Sequence, residues 1–140
     1  MSTEQKIAER VVRIEEVPWI EAPGHHGALS KLLVNPDNCG TAYYDFRVSS
    51  YEPKGHVEVH AHQRAEHVYY ILAGKGLMTL GERTIVVEPH TAIFIPPGLD
   101  HAIDNTGLEN LVFIVVAVPA DELPRNDTRI ETANGSAAGR

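Results

Sequence analysis

The sequence predicts an all-β fold, an antiparallel sandwich or barrel built as one domain. Three observations lead there. Apolar residues recur with a period of two rather than 3.6 along most of the chain. Turn clusters such as "NPDNCG", "EPKG" and "PPG" cut the chain into short segments, roughly nine or ten strands at eight-to-twelve-residue spacing. A long amphipathic helix is absent from the pattern; at most a turn or two fits residues 3–10.

The elements follow in order. "RVVRIEEVPWI" opens as a strand and stops near Pro18. "EAPGHHGA" reads as a turn or loop, and "ALSKLLV" as a short apolar strand closed by "NPDNCG". "TAYYDFRVSSY", rich in aromatic and β-branched residues, reads as a longer strand. "EPKG" turns the chain, "HVEVHAH" alternates as a strand, and "QRAE" leads into the strand "HVYYILAG". "KGLMTL" and "RTIVV" flank "GE" as a hairpin. "TAIFI" is a short buried strand, and "NLVFIVVAV" is the last strong one. Residues 1–10 are then an N-terminal arm and 11–118 the domain. Residues 119–140, polar and without period, read as a mobile tail.

At 140 residues the chain can bury a core. Its net charge of -7 argues against nucleic-acid phosphates and anionic membranes as partners. No apolar run approaches the roughly 18 residues of a spanning helix, and the first residues lack the apolar centre of a signal peptide. A cytoplasmic location is the expectation. Cys39 is the only cysteine, so an intrachain disulfide or a cysteine-based zinc cluster is excluded. A metal site would have to use His, Asp and Glu.

Half of the eight histidines fall in one stretch: His56, His60, His62 and His67. On a strand, His60 and His62 share a face with Cα atoms about 6.5–7 Å apart, so two imidazoles can converge on one ion. The short connector after His62 makes the next strand antiparallel and brings His67 near. His101, after the turn in "PPGLD", starts another strand. His25, His26, His56 and His90 have no such support and read as loop or surface histidines.

The stretch resembles the first conserved motif of the cupin superfamily: a glycine, His-x-His, three or four residues, a glutamate, six residues and a glycine. This chain has Gly55, His60, His62, His67 and Gly74 in those places. Pro96, Pro97, Gly98, His101 and Asn105 resemble the second motif, a Pro-x-Gly followed by a histidine and an asparagine. The chain departs in three ways: Gly55 is one residue closer than usual, His90 stands where the second motif opens with glycine, and the glutamate is replaced. Glu66 competes for that place, but only His67 satisfies both spacings. Parity then turns Tyr69 and Ile71 inward and Val68, Tyr70 and Leu72 outward.

The resemblance implies a cupin jelly-roll β-barrel, often a homodimer, with one divalent transition metal per chain held by His60, His62, His67 and His101. Four neutral ligands would leave the ion its full charge, hence a strong Lewis acid. Imidazole suits iron, nickel, copper and zinc alike; iron is the first expectation, with manganese, nickel, zinc or copper also admissible. Glu58 is a candidate base, Tyr43 (or Tyr44), Tyr69 and Phe94 candidate pocket walls, and Gly98 and Asn105 structural turn residues. Three functions follow for a small-molecule substrate. The first is a dioxygenase acting on an enolisable or diketone-like compound. The second is a non-redox lyase, isomerase or cyclase, and the third a metal-containing binding module. The apolar outer faces of "HVYYILAG" and "NLVFIVVAV" motivate the homodimer.

Overall fold

The computed structural model describes residues 7–123 and the backbone of 129–131. Within them the chain forms one curled antiparallel sheet. Its strands are β1 (Trp19–Glu21), β2 (His25–Val34), β3 (Asp45–Val57), β4 (Glu66–Ala73), β5 (Gly76–Leu80), β6 (Arg83–Val87), β7 (Ala92–Ile95), β8 (His101–Asn105), β9 (Leu111–Val118) and β10 (Arg129–Glu131). A one-turn helix, α1 (Pro36–Cys39), follows β2, capped by the Asn35 side chain. No described helix is long and apolar enough to cross a membrane.

Strand β3 makes the curl. One of its edges pairs with β2. The other pairs with β9 over Asp45–Tyr51 and with β8 at His56. Two leaves therefore share β3: β7-β4-β9 on one side and β6-β5-β8 on the other. The bend lies in "EPKG". His26 faces His56 while Ala28 faces Tyr51, so Glu52–Gly55 bulge against Gly27 alone. Lys54 takes a φ of 73° there, and a Cβ on Gly55 would collide with the Gly27 carbonyl. The expected turn between two strands is thus a bulge within one. The expected strand "HVEVHAH" ends at Val57, and His60 keeps only an isolated bridge to His101.

Alternation on the strands builds the core. His67, Tyr69 and Ile71 of β4 face inward, as do Leu111, Phe113, Val115 and Ala117 of β9. Ile71, Met78, Ile103, Leu111 and Phe113 are fully buried, each burial contributing roughly 1.5–3 kcal/mol. Asn105 ties the leaves together. Its amide donates to the carbonyls of Tyr51 and Glu109 at 2.8 Å each, and its oxygen accepts the Gly107 N–H at 2.8 Å.

Both chain ends depart from expectation. "RVVRIEEV" forms no strand before Trp19. Ile14–Glu16 is a 3-10 turn closed by Arg13 N–H donating to the Glu16 carboxylate. Lys31 holds it by donating to the Ile14 carbonyl at 2.8 Å. At the other end the packed chain runs past residue 118. Ala120–Glu122 is a 3-10 turn, Leu123 is buried with Ala65 and Ala117, and β10 pairs with β1. Of the expected tail, residues 119–123 are therefore packed against the domain. Residues 124–128 and 132–140 of that tail, and 1–6 of the N-terminal arm, lie outside the described residues.

Candidate metal centre

His60 and His101 face each other across an antiparallel bridge. His60 N–H donates to the His101 carbonyl at 3.1 Å, and His101 N–H to the His60 carbonyl at 2.8 Å. Such a pair projects both side chains to one face. Each ring is then aimed by its own backbone two residues earlier. His60 Nδ1 lies 2.7 Å from the Glu58 carbonyl and His101 Nδ1 2.9 Å from the Leu99 carbonyl. A carbonyl only accepts, so both Nδ1 atoms carry a proton, and in the neutral ring the lone pair sits on Nε2. This is the backing that metal-binding histidines usually have.

The cluster grows from there. The ring centroid of His62 is 5.1 Å from His60 and 5.7 Å from His101. His60 and His101 are 4.3 Å apart. One ligand nitrogen from each of His60, His62 and His101 lies within 4.8 Å of the others. Two metal–imidazole bonds of about 2.1 Å span at most about 4.2 Å, so a small inward rotation closes the set. Three histidines are thus positioned to bind a metal ion. His67 stands beside them, outside that set, with its ring stacked on His62 at 4.7 Å and 5.3 Å from His101.

Burial separates the two candidates on β4. Glu66 is exposed on the outer face, whereas His67 is 3% exposed on the inner one. Both His67 nitrogens and His101 Nε2 are buried without a hydrogen-bond partner among the described residues. An unsatisfied buried polar atom costs about 1–3 kcal/mol, and a cation would remove that cost for His101 Nε2 and for one His67 nitrogen, the other His67 nitrogen carrying the proton. The residues present therefore fit a bound transition-metal ion. Desolvation, with smaller contributions from the neighbouring histidines, lowers His67 to about 3. Desolvation likewise lowers His101 to about 4, against the opposing bond to the Leu99 carbonyl. His62 is also lowered, by desolvation and then by His60. His62, His67 and His101 therefore keep their lone pairs at neutral pH.

His60, His62 and His67 of the cluster line a pocket of about 270 Å³ that sits on the core. Tyr51, Tyr69 and Phe113 line it too. Tyr69 stacks on Phe113 at 5.1 Å, and Tyr51 meets Phe113 edge-on at 5.1 Å. Burial pushes both phenols upward, so both stay protonated. Ser30 and Ser49, hydrogen-bonded to each other at 2.8 Å, add a polar strip. Arg47 lines the floor and is held bidentately by buried Asp45 at 2.7 Å.

Two expected wall residues are elsewhere. Tyr43 is 65% exposed because β3 starts only at Asp45, and Tyr43 and Tyr44 lie in a turn closed on the Thr41 hydroxyl. Phe94 is 56% exposed, since parity on β7 turns Ile93 and Ile95 inward and Phe94 outward. Glu58 reaches the rim with its side chain 66% exposed. Its carboxylate is 2.9 Å from His26 Nε2, and that bond holds it below the usual carboxylate range. The Glu58 carbonyl, which orients His60, is the part that touches the site. Gly98, at φ 82°, donates its N–H to the His62 carbonyl at 2.7 Å.

Other residues here were not singled out in the sequence. His25, expected on a loop or surface, lines the pocket 6.3 Å from Tyr51. Its Nδ1 donates to the Pro23 carbonyl at 3.1 Å, leaving Nε2 as an acceptor, and desolvation lowers its pKa. Tyr51 shares the parity of Arg47 and Ser49 on β3, so alternation could have placed it. Nothing in the local pattern could have placed Glu122, which binds the His62–His67 loop from 57 to 59 residues away.

A family model described as a cupin domain matches residues 47–117, about half of the chain. The chain belongs to the cupin family. Among solved structures, this cupin is similar to a predicted oxalate decarboxylase from Thermotoga maritima. The TM-score is 0.71 at 26% identity, covering 79% of this chain and 99% of that one. It is also similar to the polyketide cyclase RemF from Streptomyces resistomycificus. There the TM-score is 0.70 at 25% identity, covering 89% and 85%. A curated relative, the glucose-6-phosphate isomerase of Thermococcus gammatolerans, is 45% identical over 73 residues, 49% of this chain and 37% of that protein. The cupin spans half or less of the length of the first curated relatives it matches.

Proposed function

We propose that this cupin is a metal-dependent enzyme that activates a small enolisable carbonyl compound without oxidising it, as a lyase, isomerase or cyclase does. One observation carries the reading. The ligand nitrogens of His60, His62 and His101 converge, and two of these rings, His60 and His62, line a pocket that Tyr51, Tyr69 and Phe113 also line. His67 is the proposed fourth ligand. The two structural neighbours named above support the non-redox form, since one is a cyclase and the other a predicted decarboxylase by name.

A divalent cation held there supplies Lewis-acid polarisation of a substrate oxygen. The remaining work falls to the chain. The flat face of Tyr69 and Phe113 takes a planar, conjugated body. Tyr51 and Tyr69, protonated, donate hydrogen bonds to substrate oxygens and cannot act as bases near neutral pH. His25 is neutral with Nε2 unprotonated, so it is the acceptor available for a substrate proton. Glu58 is ionised and engaged by His26 at the rim, which makes it the weaker candidate base. The pocket volume limits the substrate to a small metabolite.

The test loads the protein with zinc, manganese or iron and offers β-diketones and poly-β-carbonyl compounds under argon and in air. Equal turnover of the zinc form in both atmospheres is the expected result. A second reading, a dioxygenase, uses the same residues and draws on the open pocket beside half-buried His60 and His62. Iron-dependent oxygen consumption would put it first. Tight metal binding without turnover would leave a binding module.

A further inference from the structure

The geometry points to Glu122 as a positioning residue for the metal centre: its carboxylate clamps the loop that joins His62 to His67. The inference rests on the metal reading above. Gln63, Arg64 and Ala65 lie outside the strands, so no ladder satisfies their N–H groups. Glu122 takes all three. Oε1 accepts from Arg64 N–H at 2.8 Å and Ala65 N–H at 2.6 Å, and Oε2 from Gln63 N–H at 3.2 Å. Asp121 adds a surface bond to the Arg64 guanidinium at 2.9 Å. Beneath them Leu123 is buried with Ala65 and Ala117.

The reason the clamp matters lies in His62. His60 and His101 are each aimed by a carbonyl on Nδ1. Among the hydrogen bonds of the described residues, none reaches the His62 ring. Its direction is set by its backbone, which is held on two sides. Gly98 N–H fixes the His62 carbonyl at 2.7 Å, and Glu122 fixes the next three N–H groups. His67 enters β4 directly after that anchored stretch, with its ring stacked on His62. The C-terminal turn, remote in sequence, therefore sets the backbone from which two of the four imidazoles project. Loss of the carboxylate leaves the loop backbone anchored at Gly98, with only the exposed Asp121–Arg64 bond and the Leu123–Ala65 contact beside it, and turns three donors over to water.

The experiment compares wild type, Glu122→Ala, Glu122→Gln and Leu123→Ala as full chains. Each ion-free protein is titrated with zinc by calorimetry, and amide exchange of residues 63–65 and apo melting are measured alongside. Glu122→Ala is expected to weaken zinc binding about 10- to 100-fold, the usual cost of losing an outer-shell partner. Glu122→Gln, which keeps one acceptor oxygen, should fall between. Exchange at 63–65 should speed up in the same order. Leu123→Ala, which loosens the turn but keeps the carboxylate, should lower apo melting and weaken zinc binding less than Glu122→Ala. Wild-type zinc affinity in both Glu122 variants would overturn the clamp while leaving the metal reading intact. Absence of zinc, manganese and iron binding by wild type would overturn the metal reading and the clamp with it. Equal loss of zinc affinity in Leu123→Ala and Glu122→Ala would assign the effect to general loosening and overturn the role of the carboxylate.

Discussion

Acidification of the ion-free protein is the most quantitative probe of the buried imidazoles. His67 is held down to about 3 and His101 to about 4, in both cases chiefly by desolvation, against about 6.5 in an unfolded chain. Folded-state values below the unfolded one mean that the unfolded state binds the extra protons as pH falls. Stability from these groups is thus complete above about pH 6.5 and lost between there and pH 4 to 3. From pH 7 to 5 the unfolded chain gains about 2 kcal/mol per imidazole, from 1.5 units at about 1.36 kcal/mol each. The pair would cost at most about 4 kcal/mol, a large share of the roughly 5–15 kcal/mol of a typical domain. Urea unfolding of chelator-treated protein at pH 7, 6 and 5 reads this directly. His67→Leu should flatten the slope without abolishing it, because leucine fills the site without titrating while His101, His62 and His25 remain. A stability that does not change between pH 7 and 5 would refute the idea that these rings are buried and neutral.

Other consequences are simpler to test. His67→Ala should weaken zinc binding in calorimetry by at least about tenfold while Glu66→Ala leaves it unchanged, because only His67 faces inward. Asn105→Ala should destabilise the protein by about 2–4 kcal/mol in urea unfolding, since three hydrogen bonds at roughly 1 kcal/mol each are lost and two carbonyls are left unsatisfied. Val68, Tyr70, Leu72 and Phe94 give β4 and β7 an apolar outer face, and the proposed partner for it is a second copy. Sedimentation should then give twice the 15.4 kDa chain mass, with Phe94→Asp shifting it to the single mass. A monomer in wild type would reject the dimer.

The fold was legible where alternation was clean. On β4 the period of two separates Glu66, Val68, Tyr70 and Leu72 from His67, Tyr69 and Ile71, as read from the sequence. The β5–β6 hairpin at Gly81, with Leu80 facing Arg83, follows from its turn residues. The reading failed where tertiary contacts override local pattern. "EPKG" carries strong turn chemistry, yet pairing on both edges of β3 carries the chain through it as a bulge. "RVVRIEEV" has strand-like valines, but Arg13 and Glu16 close a turn instead. Phe94 faces outward because it alternates with buried Ile93 and Ile95 in "TAIFI", and Tyr43 lies off the strand because β3 starts at Asp45, four residues after the Thr41 start that the aromatic content suggests. Within the site, the histidine spacings pointed to His60, His62, His67 and His101, since ligand spacing is a property of short segments. His25 and Glu122 were out of reach. One depends on the bulge beside Gly27, and the other on a turn brought back from the far end of the chain.

The central claim is that imidazoles from separate segments share one cation. X-ray absorption at the zinc edge of loaded protein tests it most directly. Three or four nitrogen scatterers at about 2.0–2.1 Å, with the outer-shell pattern of imidazole rings, are expected. A shell made of oxygen atoms, or a spectrum unchanged in His60→Ala and His101→Ala, would contradict it.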